Sequence, residues 1–84
     1  MTDTLLKFPC DLPIKVFGRN EAAFREAALG IVRAHYGEAI RFSEQESRNG
    51  GYLSLTITVR AESRETVDAV FQALVDHEHV LMVL

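Results

Sequence analysis

With 84 residues the chain has room for one domain, and a domain of that size buries only about 60–65% of its unfolded surface, so its stability is modest unless it associates. Apolar content of 48% and charged content of 25% belong to a globular domain rather than a disordered tail. A formal net charge of -3 sets aside nucleic acid and anionic membrane as partners, since both draw strongly basic surfaces.

Residues 1–11 read as an extended lead-in, because Pro9 and the nearby Pro13 oppose helix. The stretch lacks the long apolar core of a signal peptide, and no segment of the chain approaches the roughly 20 apolar residues of a membrane span. Cys10 is the only cysteine, which excludes an internal disulfide and reads as a reduced thiol; only Lys7 lies close enough in sequence to activate it. With these features the cytoplasm is the default expectation.

From residue 12 onward a single domain is expected, over 12–84. Leu12, Ile14 and Val16 alternate with Pro13, Lys15 and Phe17, the period of a half-buried strand, and Gly18 ends it. Asn20 is placed to cap a helix whose Phe24, Ala28, Ile31 and His35 recur at helical spacing, widened by Ala27 and Val32. Gly30 inside that helix reads as a close-packing point against a strand or as a tolerated surface glycine, and Gly37 as its stop. Ile40 and Phe42 begin a second strand, and Asn49-Gly50 within Arg48–Gly51 signals a hairpin. The third strand is the clearest element, with Leu53, Leu55, Ile57 and Val59 on one face and Tyr52, Ser54, Thr56, Thr58 and Arg60 on the other. Ser63 caps a second helix with an apolar stripe through Val67, Val70, Phe71, Leu74 and Val75, and Val80 to Leu84 form a last strand.

The order βαββαβ predicts an α+β, ferredoxin-like two-layer sandwich. Right-handed crossovers give an antiparallel sheet in the order 4-1-3-2 with both helices on one face. The stretches "LLKFPCDLPIKVFG", "SRNGGYLSLTITVRA" and "VLMVL" resemble the YbeD-like family of small bacterial proteins, over nearly the whole chain. That resemblance implies a fold similar to the ACT regulatory domains of amino-acid metabolism and a gene neighbourhood that often includes lipoyl transfer. It implies no activity. The family commonly places Lys or Arg where this chain has Leu81, a position that therefore faces solvent.

On that basis Leu81 and Val83 are expected on the open side of the sheet beside Phe17, with Val80, Met82 and Leu84 turned toward the helices. Phe17, Leu81 and Val83 then make an exposed apolar cluster at an unpaired edge, a surface for a protein partner or a homodimer. A second candidate is the first strand-helix turn, Gly18, Arg19 and Asn20, where free backbone N–H groups and a guanidinium suit a small anionic metabolite; ACT domains hold ligands near this turn. No cofactor or metal is expected. His77 and His79 straddle a helix end and a strand start and should diverge, and Glu44 and Glu46 read as a solvated strand end. Acylphosphatase shares the fold and an arginine near Arg19, but its phosphate loop and its asparagine in the central sheet have no counterpart, since Asn49 lies in the hairpin. With no nucleophile-base grouping in view, the chain reads as a non-catalytic binding or regulatory module.

Overall fold

Alternation of apolar and polar side chains carries Cys10–Arg19 into a ten-residue strand, β1. It is followed by helix α1 (Ala22–Tyr36), strands β2 (Arg41–Glu46) and β3 (Tyr52–Ala61), helix α2 (Arg64–Asp76) and strand β4 (Val80–Val83). The computed structural model describes residues 7–38 and 40–84. The expected lead-in therefore lies outside the described residues over 1–6, and its last two residues, Cys10 and Asp11, belong to β1, where they pair with Ala61 and Arg60. Among the described residues no helix is long and apolar enough to cross a membrane.

The strands lie in the order β2-β3-β1-β4, all neighbours antiparallel, which is the predicted 4-1-3-2 sheet seen from its other edge. The pairing of β1 with β3 runs without a break from Cys10–Ala61 to Arg19–Tyr52. Even-numbered residues of β1 and odd-numbered residues of β3 share the covered face, where Ile14, Val16, Leu55 and Ile57 are fully buried. Phe24, Ala28 and Val32 of α1 and Val70 and Leu74 of α2 close over them. Ser63 caps α2 as predicted, its hydroxyl accepting from the Thr66 N–H at 3.3 Å. Gly37 ends α1 with φ of 80°, a left-handed value that glycine adopts freely.

Three local expectations change. The cap of α1 is Glu21, with no side-chain hydrogen bond, and not Asn20. Gly30 is the surface glycine and not the packing point: a Cβ there would meet no atom of the described residues within 4 Å. His35 is exposed and its Nδ1 lies 3.0 Å from the Ile31 carbonyl, so the inward stripe passes through Leu29 and Val32 instead. The hairpin joins β2 and β3 around Arg48–Gly51 as expected, and Gly50 takes a positive φ of 76°. It closes by Ser47 N–H donating to the Tyr52 carbonyl at 2.9 Å.

Candidate functional site

Antiparallel pairing places partnered residues on the same face, so the register maps the uncovered side of the sheet. Along β1 that side carries Asp11, Pro13, Lys15, Phe17 and Arg19; along β3 it carries Tyr52, Ser54, Thr56, Thr58 and Arg60. Arg41, Ser43 and Gln45 of β2 extend the rows on one flank. On the other flank Met82 lies opposite Phe17, and Leu84 exchanges backbone hydrogen bonds with Lys15, at 2.8 and 3.2 Å.

This pairing corrects the expected apolar cluster. Val83 lies opposite buried Val16 and packs against the core, while Met82 and Leu84 face outward. The cause is a bulge. Phe17 pairs with Met82 but Gly18 pairs with Val80, so Leu81 is an extra residue and the alternation slips by one. The outward patch is thus Phe17, Met82 and Leu84, with Leu81 beside them; the last three are 49%, 63% and 60% exposed. A shallow depression of about 230 Å³ adjoins it, its lining including Phe17, Tyr52, Ser54, Gln45 and Glu46.

The same face concentrates positive charge. Among the described residues of the strands, Lys15, Arg19, Arg41 and Arg60 share this face with one carboxylate, Asp11, a balance of +3 on a chain of net -3. Arg60 Nη1 lies 3.3 Å from Asp11 Oδ1. Lys15, Arg19 and Arg41 make no side-chain hydrogen bond or ion pair with another described residue. Net charge summed over the whole chain concealed this segregation. The alternation of Lys15, Phe17 and Arg19 along β1 was the signal that could have found it.

The first strand-helix turn is built differently from the expected anion site. Gly18 is buried beneath the ring of Phe24: a Cβ added to it would stand 2.4, 2.6 and 2.7 Å from three ring carbons. Asn20 ties the turn to the hairpin, its Nδ2 donating to the Gly50 carbonyl at 3.0 Å and its N–H to the Gly51 carbonyl at 3.1 Å. Glu21 N–H donates to the Arg19 carbonyl at 2.8 Å. Of the three residues, Arg19 alone keeps its side-chain donors unspent, and it belongs to the open face opposite Tyr52.

Other polar groups serve the frame. Glu44 is held by Arg25 of α1, whose Nε donates at 2.6 Å and Nη2 at 3.1 Å; that bond raises the Arg25 pKa. Glu46, two residues on, sits on the covered side of the edge strand opposite Leu53. His77 and His79 do not diverge: their ring centroids lie 5.5 Å apart, and His77 Nδ1 accepts the His79 backbone N–H at 3.1 Å. Among the described residues no three His, Cys, Asp or Glu side chains are grouped to hold a metal.

An antiparallel four-stranded sheet, with helices on one face and on the other a basic and partly apolar surface that no other described element covers, defines a ferredoxin-like α+β domain. The fold is shared with the solution structure of HP0495 from Helicobacter pylori, at a TM-score of 0.79 and 12% identity over 94% of this chain and 85% of that one. Residues 3–84 match the family described as "Protein of unknown function (DUF493)", and the chain belongs to that family. It is 40% identical to a UPF0250 protein of Nitrosomonas europaea, over 98% of this chain and 97% of the relative. A UPF0250 protein of Paraburkholderia phytofirmans is 41% identical over 100% of this chain and 97% of its own length. These relatives are small bacterial proteins of the YbeD-like kind anticipated from the sequence.

Proposed function

We propose that the chain is a non-catalytic binding module of the bacterial cytoplasm that acts by protein association, as a dimer or as an accessory to a metabolic enzyme, in the manner of ACT-like regulatory domains. One observation carries the reading: Phe17, Met82, Leu84 and Leu81 form a contiguous apolar patch where the uncovered sheet face meets the edge strand β4. Scattered exposed apolar residues are ordinary on any domain, but a contiguous group beside a free strand edge favours a protein contact. Pro13 argues for contact at β4 rather than elsewhere along this side of the sheet. It lies on β1 ahead of the stretch that β4 covers, and its missing N–H blunts that length of edge.

A small anionic metabolite at Gly18, Arg19 and Asn20 is the weaker reading, because Asn20 spends its donors on the hairpin and Gly18 lies under Phe24. The test is affinity capture from native lysate, run in parallel for the parent and a Met82→Asp/Leu84→Asp variant, together with sedimentation equilibrium of both. Proteins retained by the parent and lost by the variant, or a dimer that becomes a monomer, support the reading. Identical captures and identical masses would remove it.

A further inference from the structure

The charges around the apolar patch say what kind of surface fits it. On the open face of β1, Lys15, Phe17 and Arg19 are successive outward residues, so the two cations flank the aromatic ring. At about 3.3 Å per residue the Lys15 and Arg19 backbones stand roughly 13 Å apart. Leu84 lies beside Lys15 and Met82 beside Phe17, which makes the patch a greasy centre with a cation at either end. Arg41, which has no ion-pair partner among the described residues, adds a third cation two strands from β1 across Thr58.

We propose that the open face docks an acidic protein segment in which carboxylates flank a short run of apolar side chains, spaced to meet Lys15 and Arg19 while the apolar run covers Phe17, Met82 and Leu84. The inference rests on the reading that this face binds protein, and it names the partner's chemistry. A second copy stacked face to face fails on charge, because it would set +3 against +3. A nucleic-acid strand fits less well: Phe17 and Tyr52 are the aromatic rings of this face among the described residues, and the rest of the exposed patch, Met82, Leu84 and Leu81, is aliphatic and offers no stacking plane. A carboxylate-flanked apolar segment uses both halves of the surface, with charge steering the approach and the apolar contact holding it.

The probe is a synthetic peptide of about 15 residues with Glu clusters on either side of a Leu-Phe centre. Binding is followed by amide chemical-shift changes and fluorescence anisotropy on the full chain. Controls are the same peptide with Lys for Glu and a U-rich RNA oligonucleotide of similar length. The acidic peptide should shift Lys15, Phe17, Arg19 and Met82. A Lys15→Glu/Arg19→Glu variant should weaken it about tenfold, while Arg33→Glu/Arg64→Glu, an equal charge change on the helices, should not. Raising salt from about 0.1 to 0.5 M should weaken it several-fold.

Absence of shifts on the face, or an equal response to the Lys-substituted peptide, overturns the inference. If a captured partner then still depends on Met82 and Leu84, the broader reading survives without it. Tighter binding of the RNA overturns both. Salt-sensitive self-association that disappears in Lys15→Glu/Arg19→Glu would identify a second copy as the occupant and overturn the choice of partner. The exposed positions of Lys15 and Arg19 let the variant fold, which circular dichroism checks.

Discussion

Replacing Gly18 with alanine places a methyl carbon where the ring of Phe24 already lies, 2.4–2.7 Å from three of its carbons, whereas carbon atoms rest about 3.5–4.0 Å apart. The ring must therefore withdraw by about 1 Å. Phe24 is fully buried in a close-packed interior, so the movement is passed to its neighbours rather than to solvent. Overpacking of this kind costs about 1–3 kcal/mol, and three short contacts with a rigid ring place Gly18→Ala near the upper figure. In a chain of this length about 3 kcal/mol lowers Tm by roughly 12–24 °C. At an unhindered site Gly→Ala stabilises by about 0.4–1 kcal/mol, so even the sign of the effect reports the clash. The assay is thermal and urea unfolding followed by circular dichroism, on Gly18→Ala, Phe24→Leu and the double variant. Shortening residue 24 relieves the contact, and the double variant should lose at least about 1 kcal/mol less than the two singles combined. A Tm within 2 °C of the parent (on the order of a quarter to a half of a kcal/mol), or strict additivity, would refute the reasoning. The interaction face is affected as well, because Gly18 sits at the bulge between Phe17 and Arg19.

Gly30→Ala is the counterpart: it lies in a helix interior with open space around its Cα, and should raise stability by about 0.5–1 kcal/mol in the same unfolding assay. Asn20→Ala removes the 3.0 Å bond to the Gly50 carbonyl and should cost about 0.5–1.5 kcal/mol, with faster amide exchange in the hairpin. Ser63→Ala should cost about 1 kcal/mol through loss of the α2 cap. Tyr36 has a buried hydroxyl with no hydrogen-bond partner among the described residues, and burial raises its pKa above the ordinary 10.0. Above about pH 10 the unfolded chain ionises first and binds fewer protons than the folded one, so stability falls as pH rises. Tyr36→Phe should flatten that alkaline fall and leave stability near neutrality equal or slightly higher, as urea unfolding at several pH values will show.

Much of the fold was legible because its local signals agreed with one another. β3 alternates cleanly through Leu53, Leu55, Ile57 and Val59; Ser63 and Gly37 mark helix ends; and two amphipathic helices over one apolar sheet face admit few topologies. The candidate face was legible in outline. Phe17 and Leu81 were placed outward from the sequence, and Arg19 was singled out, though for an anion site at the turn.

What could not be read were features created by contact between distant segments. Val83 and Met82 exchanged faces because a bulge opposite Phe17 and Gly18 inserts one residue, and with a side-chain period of two that single residue inverts everything beyond it. Asn20 has the composition of a cap, but the hairpin thirty residues away claims its side chain. Gly18 and Gly30 look alike in sequence; the first is indispensable because Phe24 lies against it, and the second is exposed to open space.

Patterning alone determined the element order, the covered face of the sheet and the family, since each depends on periodicities and motifs carried within short stretches of chain. Tertiary structure decided which terminal side chains reach solvent, and it drew Lys15, Arg19, Arg41 and Arg60 onto one surface of an otherwise acidic protein. Strand register is a relation between segments, and no single segment contains it.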